Sequence, residues 1–542
     1  GYARYVREAE SDKICRYVHV DGAFADELDP PSMVARVNTL LHEYARFLNN
    51  GSEEGAEYEL MIQAISKASR DINEKTIANL PEVQLNYSAA YGRRLEHFYY
   101  RNGALRITPE GFTLLRYDDL DFNVDRGEVL DWPITLHKDM PFSISENPEW
   151  KRRLDEYENM KVQLKPDGTP AYTMQQIDRK SIDNALWAET HRWIVDWHGV
   201  RPKDLWPPLQ VLRGFANEEW EHEMQREHEG KRLEEDRQRE LDCRFANLLF
   251  TLGRMLWRYR DSKSNCLLYL MENVVTQENR AEGGSGKSSF VKVFAGCAAN
   301  VFNIDCKDLV PGKDMASNLA TYRHRQHRIV HWEDTQRDFD VTKLYNFVTG
   351  DVSVSIKYKD KFTIPHAEAP AMVISSNFPL SDTSDSTMRR VCMGGFSHRF
   401  AGQNIMKNKA ARLISDLMPD FVTDGPVKLS AKTRNQLAII CALAVQFVMR
   451  YDVKVDAQKK YIEKRTLEQQ LGEQFMSYAR TFFSHDNIYG IPHDLRSMLE
   501  DYKADYADTS KLRSEAYSLK TFKRKIKDYC LTQGIVMNPD QL

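Results

Sequence analysis

The segment Ala281-Glu-Gly-Gly-Ser-Gly-Lys-Ser288 has the composition of a polyphosphate cradle. Gly283, Gly284 and Gly286 let backbone N–H groups turn inward, and a helix starting there adds its partial positive charge. Lys287 reaches the terminal phosphates, the Ser288 hydroxyl completes a Mg²⁺ shell, and Ser285 and Ser289 line the same turn. The segment fits the pattern x4-GK-[ST], with Ala281 where the stricter form has Gly.

The run Arg328-Ile-Val-His-Trp-Glu333-Asp334-Thr begins about 40 residues later, an apolar strand ending in two carboxylates. Behind a phosphate loop, one carboxylate orients Mg²⁺ through water and the other polarises the attacking water. The commoner order is Asp-Glu; here it is Glu-Asp, and either residue could be the base. A further strand, Ala371-Met-Val-Ile-Ser-Ser-Asn377, ends in an amide suited to hold the lytic water or γ-phosphate between the two sites. Then come Arg389 and Arg390, candidates for the cation that phosphoryl transfer requires.

These residues need strands and helices to carry them. An apolar strand, Cys266–Met271, precedes the loop, and the amphipathic helix SSFVKVFAGCAA follows it. The linker Glu272–Arg280 between strand and loop is unusually long. Strands and helices alternate over 263–405, the rhythm of an α/β nucleotide-binding domain with a mainly parallel sheet. Upstream, 1–60 reads as helical through Met33, Val37, Leu40, Leu41, Tyr44 and Phe47. Turns at Asn102-Gly103 and Pro109-Glu110-Gly111 signal hairpins within 95–130. The charged run 218–244 reads as one helix with a solvated face or as a spoke between domains, with a protein-partner surface as the alternative. After 406 the chain is helical, ending in a basic helix and a short strand that suit a winged-helix-like tail. The expected division is a mixed α/β region 1–143, a helical collar or oligomerisation region 144–262, the motor 263–405 and a helical region 406–542.

With these residues in view, 266–400 resembles a superfamily-3 helicase, most of all the primase-helicases of poxviruses, phages and bacterial mobile elements. The diagnostic stretch is YNFVTGDVSVSIKYKDKFTIPHAEAPAMVISSNFPLSDTSDSTMRRVCMGGF, 345–396. It holds a helix ending in Gly-Asp, a basic hairpin, a strand ending in Asn, paired arginines and a final strand. IVHWEDT also resembles the equivalent strand of polyomavirus large T antigen, and HFYYRNGALRIT is similar to a hairpin found before such motors. The resemblance implies an AAA+ fold, a hexameric ring, ATP with Mg²⁺, and 3′-to-5′ unwinding of single-stranded or forked DNA. It makes Arg389 or Arg390 the finger reaching a neighbour's ATP. Ala281, the long linker and the Glu-Asp order depart from the pattern.

Lys357, Lys359 and Lys361 alternate along 353–364 with Tyr358 and Phe362 between. A basic edge can simply block aggregation. In a pore, the lysines would track phosphates and Tyr358 would lie against bases or sugars.

Composition bounds the rest. The chain has 542 residues, 42% hydrophobic, with formal charge -4, so any DNA contact must come from a locally basic surface. Eight dispersed cysteines without a CxxC pair argue for a reducing compartment, the cytoplasm, or the host's cytoplasm for a virus or phage. No apolar run is long enough to span a bilayer. The chain opens on Gly rather than Met, as a piece of a longer polypeptide with a primase domain upstream would. Weaker alternatives are a primase or polymerase site around Asp119 and Asp121, an ATPase that only regulates assembly, and zinc held by His324, His327 and His331. A small-molecule kinase leaves the Asn strand and paired arginines without a task.

Overall fold

The structure is a computed structural model. It describes residues 2–8, 13–28, 30–48, 56–71, 74–137, 140–166, 169–171, 187–261, 266–272, 284–309, 315–336, 339–355, 362–378, 380, 384–401, 413–421, 428–451, 471–484, 492–506, 517–532 and 535.

The chain opens with strands, where the apolar pattern reads as helix. Strands β1 (Tyr2–Glu8), β2 (Lys13–Asp21) and β3 (Phe24–Leu28) form an antiparallel sheet. The turn is the reason: Gly22 takes φ +59° at the first position of the two-residue connection Gly22-Ala23, where tight hairpin turns favour Gly. The helices Pro30–Leu48 and Ala56–Asp71 follow. Of the apolar face expected there, Met33 is buried, whereas Leu40, Tyr44 and Phe47 are exposed. A second antiparallel sheet joins β4 (Glu96–Tyr100), β5 (Gly103–Ile107) and β6 (Phe112–Leu115), turning at the two expected places. The N-terminal region is therefore less helical than expected. Strands β7 (Ser143–Glu146) and β8 (Trp193–Asp196) pair across the next stretch.

The charged run 218–244 is two helices rather than one. Gly230, at φ +70°, ends the helix Trp220–His228, and a new one runs Glu235–Leu256. Its face is not wholly solvated, since Trp220 is buried and Arg213 donates to Glu223 at 2.6 Å in the interior. From Leu241 to Leu256 almost every position is buried, because the helix is enclosed by the central sheet and by the helix Ala431–Tyr451. Gly253 permits that crossing: a Cβ there would lie 2.3 Å from the Ala444 carbonyl oxygen.

The central sheet is all parallel. It holds β9 (Leu267–Glu272), β10 (Asn300–Asp305), β11 (His327–Thr335), β14 (Ala371–Ser376) and β15 (Val391–Phe396), ordered β10-β11-β14-β9-β15. A short hairpin, β12 (Val352–Val354) with β13 (Phe362–Ile364), lies between β11 and β14 in sequence. Helices Glu473–Phe483, Leu495–Tyr506 and Leu519–Thr532 share a separate apolar cluster. The strand expected after the last of these falls outside the described residues.

A buried polar network ties the second antiparallel sheet to the central one. Arg328 of β11 donates to Glu128 and to the His97 carbonyl, both at 2.6 Å, while Arg258 donates to Glu96 at 2.9 Å. Burial alone would push the Glu96 carboxyl up, but Arg258 and then Arg328 outweigh it and hold it below the ordinary range. Beside it, burial brings the His97 ring down to about 4. An unfolded chain takes up that proton near 6.5, the folded one only near 4. Stability is therefore expected to fall by about 3 kcal/mol at most as pH drops through that window. His97→Gln should flatten this part of the curve in denaturant titrations; identical slopes in both proteins would refute it.

Candidate functional site

The phosphate-type loop sits at the C-terminal end of β9, the usual ligand end of an open parallel sheet. Gly284 and Gly286 take φ +78° and +93°, the conformation that turns successive N–H groups to one side. A helical turn begins at Lys287–Ser289 and continues through Phe290–Phe294 and Ala295–Cys297. Ser288 and Ser289 are half-buried at its start. Gly283 lies outside the described residues, as does most of the long linker.

Lys287 is buried, and its Nζ donates to Glu272 Oε1 at 2.7 Å and to Ser285 Oγ at 2.9 Å. Glu272 is the last residue of β9. It carried no weight in the sequence, where it reads as the first residue of a linker.

The loop rests on an aromatic ring contributed from outside 263–405. A Cβ on Gly286 would lie 2.3 Å from Cε1 of Phe215, in the helix Pro207–Ala216. Phe215 packs against Phe290, Phe294, Phe396 and Phe400, and its carbonyl accepts from the Ser397 N–H at 2.7 Å. Gly286→Ala should therefore cost about 1–3 kcal/mol of stability, from strain and overpacking together. Melting curves check this; wild-type stability would disprove the tight fit.

Glu333 and Asp334 occupy a bulge. Trp332 pairs with Ile374 and Thr335 with Ser376, so the two acidic residues together face Ser375, and Asp334 sits at φ +54°. Bulges re-aim side chains near sites, and a left-handed aspartate is strained. Glu333 meets Lys292 at 2.6 Å, and Asp334 meets Lys307 at 2.9 Å. Lys292 lies in the helical segment after the loop, so this ion pair brings the acidic strand against the phosphate-loop helix. Neither lysine stood out in the sequence, because each partner is distant in the chain.

One residue pair before the bulge, His331 is fully buried, its ring nitrogens 2.9 Å from Asn303 Oδ1 and Ser375 Oγ. It thereby links β10, β11 and β14. His324 pairs with Glu368 at 2.8 Å, and the His327 ring accepts from the Arg323 N–H at 3.0 Å. These separate partners do not support a shared zinc site, and no group of three or more metal-ligating side chains occurs among the described residues. Asp119 and Asp121 lie exposed on a turn.

Asn377 follows β14 directly and is half-buried. Because β14 lies between β9 and β11, its end stands between the loop strand and the acidic strand. Ser375 pairs with Leu270, and two further residues bring Asn377 level with Glu272. Arg389 and Arg390 close the helix Asp385–Arg390. Arg389 is exposed, whereas Arg390 donates to the Ser386 hydroxyl at 2.7 Å and lies over the Tyr345 ring at 5.3 Å. Lys357, Tyr358, Lys359 and Lys361 fall outside the described residues, although the strands on either side pair as a hairpin.

The fold and site together define an α/β domain with a parallel five-stranded sheet flanked by helices and a glycine-rich loop at its ligand end. No family model matches the chain, and no curated protein does. Among solved structures it aligns with two determinations of the apo NrS-1 C-terminal region, at 14% identity in each. One alignment covers 54% of this chain and 63% of that one with a TM-score of 0.25, the other 52% and 62% with 0.27. The chain thus spans less than two thirds of the length of those structures, and superpositions this loose bear no functional argument. No helix among the described residues is long and apolar enough to cross a membrane.

Proposed function

We propose that this chain is an ATP-driven DNA helicase motor of the superfamily-3 AAA+ kind, ring-forming and engaged in replicating a virus, phage or mobile element. The observation that carries the reading is the position of β14. It enters the sheet between the strand before the glycine-rich loop and the strand ending in Glu333 and Asp334. A polar amide thus stands where it could contact both a γ-phosphate and an attacking water. The reading inherits its DNA substrate from the resemblance of residues 345–396.

In this reading the loop N–H groups and Lys287 bind the phosphates. The Ser288 hydroxyl and the bulged carboxylates are hard oxygen donors of the kind Mg²⁺ takes, and Mg²⁺ would neutralise charge on the transferring phosphate. One carboxylate of the Glu333–Asp334 pair polarises water, and Asn377 orients it. Lys292 and Lys307 compensate the two carboxylates when nucleotide is absent. Either Arg389 or Arg390 takes the trans-acting role in this reading, Arg389 being the more exposed of the two.

The deciding experiment measures ATP hydrolysis with and without single-stranded DNA, alongside unwinding of forks carrying a 3′ or a 5′ tail. DNA-stimulated hydrolysis with unwinding is expected. Hydrolysis indifferent to DNA, without unwinding, would instead favour an ATPase that only controls assembly. Metal-dependent primer synthesis would return attention to the primase alternative.

Neutralising Lys357, Lys359 and Lys361 together should weaken single-strand binding and flatten its salt dependence, by roughly 0.7 in slope per lost phosphate contact. Basal hydrolysis should survive. Unchanged affinity and slope would make the hairpin merely structural.

A further inference from the structure

The ion pair between Glu272 and Lys287 places a fixed anion on the residue that must meet the incoming phosphate. Both side chains are buried, at 8% and 6% exposure, and the Ser285 hydroxyl completes the contact at 2.9 Å. A buried lysine needs a counter-charge, and losing one partner of such a pair is costly. A phosphate arriving at the loop is a second anion competing for the same ammonium. The Glu272 backbone is held at the end of β9 by pairing with β15 at Phe396, which keeps its carboxylate within side-chain reach of the loop. From there the carboxylate would repel an arriving phosphate or take another cation.

We propose that Glu272 is a built-in competitor for nucleotide, an anion on Lys287 that an incoming phosphate must displace. Resting on the nucleotide-binding reading above, this assigns Glu272 a positioning role: it acts through Lys287 and sets affinity and release, with no part in bond breaking. The device has a use in a cycling motor. The lysine stays compensated and correctly placed between turnovers, and product release regains the ion pair as phosphate contacts are lost. ADP, with fewer phosphate oxygens to offer Lys287, competes less well than ATP, so the pair favours exchange of ADP for ATP.

The test is direct binding of Mg-ADP and Mg-ATP to the full chain, by calorimetry and by stopped-flow release, in wild type, Glu272→Gln and Glu272→Asp. Glu272→Gln keeps the shape and an acceptor for Lys287 but removes the charge. Its Kd for Mg-ADP should tighten about tenfold or more, mainly through slower release. The nucleotide-free variant should melt lower than wild type and gain more on adding ADP. Glu272→Asp, its charge drawn back by one methylene, should fall between the two and covers the case in which Glu272→Gln does not fold. Unchanged or weaker binding in the folded variants would overturn the proposal and leave Glu272 as a simple aid to placing the lysine. If wild type itself binds no nucleotide, the nucleotide-binding reading fails instead, and the two failures are told apart.

Discussion

Lys287→Ala is expected to abolish nucleotide binding or turnover, while Glu333→Gln and Asp334→Asn keep binding and lose turnover. The contrast follows from where each group stands. Lys287 emerges from the first turn after the glycine-rich loop, so in the proposed reading it would meet phosphate in the ground state and in the transition state alike. The two carboxylates sit on the bulge at the end of β11, where in the proposed reading they would act on water and metal rather than on the triphosphate. Whichever is the base should cost roughly 10²–10⁴-fold in turnover when neutralised, the usual worth of a positioned proton acceptor. Lys287→Ala also strands Glu272 as an uncompensated buried charge, a loss of about 3–5 kcal/mol in comparable pairs. Melting curves must therefore accompany the assay, and Lys287→Ala combined with Glu272→Gln restores neutrality if the single variant unfolds. Normal hydrolysis by a folded Lys287→Ala protein would sink the assignment of the loop.

The second large effect is expected between subunits. Removing the finger should reduce turnover by on the order of 10³–10⁵ while ATP binding and folding survive, by analogy with other phosphoryl-transfer enzymes. Arg389 is exposed at the end of its helix, whereas Arg390 is tied to Ser386 and lies over Tyr345. The double substitution Arg389→Ala/Arg390→Ala should show the full loss, and the two single variants tell which arginine is the finger. Mixing experiments decide whether the site is shared. A chain lacking both arginines, added to wild type, should poison the assembly more steeply than its fraction; a strictly linear decline would mean that subunits work alone. Combining that chain with Lys287→Ala joins a subunit that has a site but no finger to one with a finger but no site. Recovered hydrolysis would demonstrate sharing, and no recovery in a mixture shown to co-assemble would count against it.

Some of this was legible before any fold was known, because it depends on neighbours in the chain. The glycines, Lys287 and Ser288 are consecutive, and their chemistry needs only a turn leading into a helix. Strands β9, β11 and β14 announce themselves as short apolar runs, each ending in polar residues. The hairpin turns at Asn102-Gly103 and Pro109-Glu110-Gly111 are local conformational preferences. Gly22 carries a similar signal, but the apolar pattern that follows reads as helix and masks strands Tyr2–Glu8 and Lys13–Asp21.

What only the tertiary structure decided lies in contacts between residues distant in sequence. Glu272 and Lys287 are 15 residues apart, Lys307 and Asp334 27, and Lys292 and Glu333 41, and none of these spacings marks a pair. Phe215 belongs to a helix with no chemical motif, yet its ring supports Gly286 because the chain returns to the same core. The order of the sheet is of the same kind. Local pattern specifies that a segment is a strand, since side-chain alternation and apolarity are properties of the segment itself. Which strand it lies beside depends on how crossovers pack against a common core, and so β14 came to rest between the loop strand and the acidic strand, bringing Asn377 between them.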